Sequence, residues 1–154
     1  MHPSSVLFAI LLAWTTATVF ARQIGYKDCG EGLSKINEMQ MEPCVGFPCH
    51  IEDEQSATIK FTPYKSYITD LRISVTIIVH NTRRLDLPME HDACLGHGII
   101  CPLEGGKPAT VGINLDIPKW FVYEYPVGTI FKIKAELSYG SKNKLVCVIT
   151  EIIL

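Results

Sequence analysis

Between Asp70 and His80 the chain reads D-L-R-I-S-V-T-I-I-V-H. Leu71, Ile73, Val75, Ile77 and Val79 fall on one side of a two-residue repeat. Asp70, Arg72, Ser74, Thr76 and His80 fall on the other, with Ile78 the single exception. A strand sends alternate side chains to opposite faces, so this segment asks for a sheet with one buried face. The repeat recurs. Ala57, Ile59 and Phe61 alternate with Thr58 and Lys60. Val111, Ile113, Leu115 and Ile117 alternate with Gly112, Asn114 and Asp116. Phe131, Ile133, Ala135 and Leu137 alternate with Lys132, Lys134 and Glu136. Lys144 to Ile153 is β-branched but of ambiguous phase, as expected of a strand covered on both faces or pinned by Cys147. Turn residues separate the runs: Gly30 to Gly32, Pro43 to Pro48, Pro63, Pro88, Glu104 to Pro108, Pro126 to Gly128 and Gly140 to Asn143. No stretch after residue 21 sustains a helical period. The pattern predicts an all-β chain of about six or seven strands, in an antiparallel two-sheet β-sandwich.

The apolar run Val6 to Ala13 is of a different kind. It is followed by the small and polar residues of Trp14 to Thr18 and by Val19-Phe20-Ala21, and no charged residue precedes Arg22. Residues 1–21 therefore read as a secretory signal peptide cut after Ala21, leaving 22–154 as one domain. In an exported chain the six cysteines are expected to be bridged. Six cysteines allow 15 connectivities. Spacing favours local closure of Cys44 with Cys49 and of Cys94 with Cys101, each across a turn bearing Gly or Pro. That leaves Cys29 for Cys147.

The usual chemistries find little support. No Gly-x-Ser-x-Gly elbow occurs, and with every cysteine partnered no free nucleophile remains, so the chain does not read as an enzyme. Gly105-Gly106-Lys107 lacks the spacing and the Ser or Thr of a phosphate loop and reads as a hairpin turn. His91, Cys94, His97 and Cys101 have the donor types of a tetrahedral zinc site, but export favours the disulfide and no metal is expected. Acidic residues outnumber basic ones, 16 to 14, and the cations are scattered, so no nucleic-acid partner is expected. There is no Asn-x-Ser/Thr sequon, since Arg83 stands where Asn81-Thr82 would need Ser or Thr. What remains is apolar. The inward strand positions are large and aliphatic, and Trp120 to Tyr125 packs four aromatics into six residues ahead of Pro126, read as a loop. Such an interior suits an apolar guest, although periodicity does not separate a cavity from an ordinary core.

Several motifs together resemble one family. They are Tyr26-Lys-Asp-Cys29-Gly30, Pro43-Cys44 to Pro48-Cys49, Asp92-Ala-Cys94, Gly98-Ile-Ile-Cys101-Pro102-Leu103, Tyr125-Pro126 and the late Cys147. Across residues 24–154 the chain is similar to the MD-two-related lipid-recognition (ML) domain, nearest the Niemann-Pick type C-two sterol carriers and the mite group-two allergens. The resemblance implies an immunoglobulin-like sandwich with an apolar pocket between its sheets. It implies the disulfides Cys29–Cys147, Cys44–Cys49 and Cys94–Cys101.

Sterol carriers of this family line the pocket mouth with an aromatic before the fourth cysteine, an apolar residue in a later loop and the Tyr of Tyr-Pro. Tyr125 and Pro126 match directly. The loop after Ile117-Pro118 is two residues longer here, so Phe121 or Val122 supplies the apolar residue. Before Cys94 this chain has Arg83-Arg84-Leu85-Asp86-Leu87-Pro88 in place of a Pro- and aromatic-rich segment, with Leu85 or Leu87 standing for the aromatic. Pro88, and Val75, Ile77 and Phe131 from the strand faces, complete the expected lining. The resemblance implies a secreted carrier, a monomer without cofactor, that binds a sterol, fatty acid or other small apolar lipid and touches a membrane or receptor transiently. The alternative is a co-protein that senses microbial or anionic lipid through rim cations such as Arg83, Arg84 and Lys119. Without a sequon for a lysosomal glycan tag, extracellular fluid is expected over the lysosomal lumen.

Overall fold

A computed structural model of the chain describes residues 21–154, so the segment read as a leader lies outside the described residues up to residue 20. Ten strands and one helical turn follow: β1 (Arg22–Gln23), β2 (Lys27–Asp28), β3 (Ser34–Glu42), β4 (Cys49–His50), β5 (Ser56–Pro63), β6 (Leu71–Val79), β7 (Arg83–Asp86), β8 (Ala109–Asn114), α1 (Lys119–Val122), β9 (Ile130–Tyr139) and β10 (Asn143–Ile153). They make two sheets. One has four strands in the order β1-β3-β5-β8, and the other has six, ordered β2-β10-β9-β6-β7, with β4 also paired to β10. The pairings are antiparallel except for the short parallel bridge of Cys49 and His50 to Ile152 and Ile153.

The alternation in the sequence becomes the wall between the sheets. Along β6 the alternate residues Leu71, Ile73, Val75, Ile77 and Val79 are buried. In register beside them on β9 are Leu137, Ala135, Ile133 and Phe131, all buried. From the other sheet Met39, Met41, Ala57, Ile59, Phe61, Val111 and Ile113 face them. Burying such a layer is the main favourable term in the fold.

The ten strands exceed the six or seven expected: β1, β2 and β4 are two residues each, too short to show a period, and three further elements depart from the expectation. β3 was not read as a strand. Its register shifts between Ile36 and Glu38, so the apolar phase breaks before Met39 and Met41 resume it. β7 lies in the Arg83 to Pro88 segment, for which the sequence pattern names no strand. It is an edge strand with three exposed charged residues and only Leu85 partly turned in. The aromatic loop after Pro118 contains the helical turn α1. β10 resolves its ambiguous phase through a register shift between Lys144 and Val146, after which Leu145 to Val148 are buried on both faces.

The three disulfides are Cys29–Cys147, Cys44–Cys49 and Cys94–Cys101, with Cα atoms 4.9, 5.0 and 5.8 Å apart. Cys44 follows β3 in the smaller sheet and Cys49 begins β4 in the larger, so this bridge ties one sheet to the other. On the outer face of β9, Glu136 sits 3.0 Å from Lys134 and from Lys144. Partial burial would raise its carboxyl, but the hydrogen bonds and charges of the two lysines outweigh that and hold it below the usual carboxylate range.

Candidate functional site at the aromatic end of the sandwich

The end where β6 finishes and β9 begins is closed by side chains from three places. The turn after β6 is tight. Thr82 N–H donates to Val79 O at 3.2 Å, and His80 and Asn81 both take positive φ, the type I′ geometry that suits a hairpin. It delivers Arg83 to the same end. Before β9, Pro118 with its extended backbone opens α1, whose bonds run from Phe121 and Val122 N–H to Pro118 O and from Tyr123 N–H to Lys119 O. Tyr125 N–H continues the coil to Val122 O at 3.1 Å. One turn of helix spaces side chains four residues apart on the same side. Phe121 and Tyr125 therefore meet, while Trp120 and Tyr123 are left exposed.

Phe121 is fully buried. Its ring centroid lies 5.5 Å from that of Tyr125 and 6.0 Å from that of Phe131, and Tyr125 lies 5.3 Å from Phe131. These tilted and edge-on contacts are the favourable aromatic arrangements. Arg83 lies over the Phe121 ring at 5.8 Å and pairs with Glu124 at 2.7 Å. On the far side of α1, Lys119 reaches Asp53 at 3.5 Å. The single turn is thus held by a buried ring within and by one ion pair on each flank.

The expected lining residues distribute unevenly. Val75, Ile77, Leu87, Phe121 and Phe131 are buried in the interior. Leu85 sits opposite Ile77 and is partly buried, and Leu87 N–H donates to Val75 O at 2.9 Å. Between Phe121 and Val122 the helical turn decides: Phe121 points in. Val122 instead lines an open surface cleft of about 520 Å³ with Ile51, Leu115, Ile117, Tyr123 and Leu154, rimmed by Glu52, Asp53, Glu54 and Asp116. Pro88 is exposed and lines another surface cleft beside Met89, Glu90 and His97. Pro126 is exposed at the end of the Tyr-Pro pair. Among the described residues, Val75, Ile77, Phe121 and Phe131 have almost no exposed surface, and none of them lines the clefts that Val122 and Pro88 line. The apolar interior is closed upon itself, as facing hydrocarbon walls close to recover dispersion contacts.

The His/Cys cluster is built otherwise than a metal site. Cys94 and Cys101 are joined, and both ring nitrogens of His97 face backbone oxygens at 2.9 Å, Nδ1 that of Gly112 and Nε2 that of Glu90. His91 Nδ1 lies 3.2 Å from Ile73 O. The Arg83–Glu124 pair and the orientation of Phe121 had no sequence signal, since each depends on how distant segments meet.

Comparison with known proteins shows what the chain is similar to. The family model described as ML domain matches residues 23–154. The mouse (Mus musculus) protein named NPC intracellular cholesterol transporter 2 is 28% identical over 142 residues, 90% of this chain and 89% of its own. The mite group 2 allergen Pso o 2 of Psoroptes ovis is 24% identical over 111 residues, 71% of this chain and 74% of its own. The crystal structure of a Niemann-Pick type C2 protein from the Japanese carpenter ant superposes with a TM-score of 0.69 at 19% identity, covering 84% of this chain and 98% of that one. That likeness is one of fold.

Proposed function

The chain belongs to the ML-domain family, and from that premise we propose that it is a carrier which takes a sterol or other small apolar lipid between its two sheets and passes it on. Its relatives are transport proteins and allergens by name rather than enzymes, and the chain is not an enzyme. The observation that carries the proposal is the Phe121–Tyr125–Phe131 cluster. It caps an interior of aliphatic strand faces at the end reached from solvent through a single helical turn.

The physics of uptake is simple. A guest gains roughly 25 cal/mol for each Å² of apolar surface it withdraws from water, with no covalent step. The interior is packed, so the guest has to replace wall-to-wall contacts with its own. Phe121 is the side chain best placed to yield, because α1 is one turn long and has no side-chain cap. Val75, Ile77, Leu85, Leu87 and Phe131 then form the walls, with Tyr125 and Pro126 at the mouth. Val122 and Pro88 stand outside the chamber. Trp120 and Tyr123 face outward on the same turn, with side chains suited to the polar–apolar boundary of a bilayer, so release occurs on contact with a membrane or receptor. Three disulfides fit an exported, extracellular protein, and among the described residues no helix is long and apolar enough to cross a membrane. The carrier acts as a monomer.

The test is titration of delipidated protein with dehydroergosterol and with a fluorescent fatty acid. Saturable binding near one lipid per chain is expected for at least one of them. Absence of saturable binding for both refutes the reading.

A further inference from the structure

Among the described residues, two buried side-chain polar atoms lack a hydrogen-bond partner: Oε1 of Gln55 and the hydroxyl of Tyr125. Gln55 is otherwise anchored, since its Nε2 donates to Pro43 O at 2.8 Å and to His50 O at 3.0 Å. Its amide already braces the loops ahead of β5. The Tyr125 hydroxyl has no such role. The residue as a whole is only partly buried while its hydroxyl is buried completely, so the phenol points tip-inward. Its ring rests on Phe121 and Phe131, both fully buried. A hydroxyl set among hydrocarbon is costly until a partner reaches it, and folded proteins rarely leave one that way without a use.

We propose that the Tyr125 hydroxyl is the polar selector of the lipid chamber: it exchanges a hydrogen bond with the oxygen of an uncharged head group and disfavours lipids that lack one. The inference rests on the carrier reading above. A phenol both donates and accepts, so an alcohol satisfies it in either direction. The preference for an uncharged head comes from the surroundings. The guanidinium against this cluster, Arg83, is already paired with Glu124 at 2.7 Å. An anionic head has to displace a carboxylate tethered on the same segment and carry its charge among aromatic rings. The only other ionisable ring meeting Tyr125 in these contacts is that of exposed His80, edge-on at 6.1 Å.

A site built to bond an oxygen rejects the analogue without it more strongly than an apolar pocket rejects a change of shape. The experiment compares the full chain with its Tyr125→Phe variant, both delipidated. Dehydroergosterol is displaced by cholesterol, and by 5-cholestene, which keeps the ring skeleton but lacks the hydroxyl. The parent is expected to prefer cholesterol by roughly 5- to 100-fold, the range for one buried hydrogen bond left unmade. In Tyr125→Phe the preference falls below about threefold, with cholesterol weakened and cholestene held or improved. Lipid-free Tyr125→Phe is expected to melt at or above the parent, because an orphan is removed. A lower melting point shows that the hydroxyl already has a partner in the empty protein and overturns the inference. Saturable binding with the same preference in both proteins overturns the selector role alone. No binding of any sterol by either protein overturns the inference together with sterol carriage.

Discussion

The Cys29–Cys147 bridge should hold about twice as much stability as either of the others, and the difference is calculable. It closes 118 residues, against 7 for Cys94–Cys101 and 5 for Cys44–Cys49. In the chain-entropy description a loop of that length removes about 4.9 kcal/mol from the denatured state at 25 °C, against about 2.4 and 2.1 kcal/mol for the short loops. Native packing adds little to that gap. Cys29 N–H still donates to Cys147 O at 2.9 Å, and Asp28 remains in register with Val148, so β2 keeps its place without the sulfurs. Double variants C29A/C147A and C94A/C101A isolate the effect. For a domain of about 130 residues, unfolding entropy near 2.1 cal/mol/K per residue converts the losses to roughly 18 °C and 9 °C in melting temperature. Urea denaturation and calorimetry on the two variants measure it. Equal losses, or a larger loss for C94A/C101A, refute the denatured-chain account and point to native-state terms. A second consequence separates stability from function. Both ends of the long bridge lie by β2 and β10 in the same sheet, whereas Cys44–Cys49 ties the two sheets together. Folded C29A/C147A should therefore bind lipid with unchanged affinity.

Other perturbations have equally definite signs. Phe121→Ala should cost about 3–5 kcal/mol, the range for a buried Phe, while Val122→Ala on the surface cleft should cost no more than about 1 kcal/mol; urea midpoints check the order, and similar losses would place Phe121 outside the core. The Arg83–Glu124 pair is partly exposed, at 54% and 38% of the side chains, so a double-mutant cycle with Arg83→Ala and Glu124→Gln should find a coupling of about 0.2–1 kcal/mol that 1 M salt largely removes. A larger, salt-resistant coupling would contradict that. Glu136 gives a pH dependence. Its carboxyl is lowered in the folded chain, so the unfolded chain takes up the proton first. The stability it contributes is therefore present above the ordinary carboxylate pKa and is lost as pH falls through the lower folded value. Glu136→Gln should flatten that acid-side slope below the usual Glu value of about 4.3; an unchanged slope in urea midpoints refutes it.

What was legible in the sequence was whatever repeats within one element. β5, β6 and β9 have one wet and one dry face, so their period survives to be read. β3 hides because its register shift divides Ile36 from the buried Met39 and Met41. β7 hides because a four-residue edge strand with three exposed charged residues and one partly buried leucine is too short and too polar to show an alternation, and α1 because one turn is too short to show a period. The candidate site follows the same rule. Tyr125-Pro126 could be matched as a motif, but nothing local chose Phe121 over Val122. That choice depends on the phase of a single turn set by Pro118. Phe131 was an ordinary inward strand residue until register placed it opposite Val79, at the end of β6. Arg83 was an unpartnered rim cation until a turn at His80 and Asn81 carried it back to Glu124. Taken singly, a strand face, a Tyr-Pro pair and an aromatic loop each have a bland reading as core or surface. Their meeting at one end of the sandwich puts a fully buried ring on a segment only one helical turn long, and beside it a hydroxyl with nothing to bond. A packed core accounts for the ring but not for the unbonded hydroxyl, which the proposed lipid chamber would use.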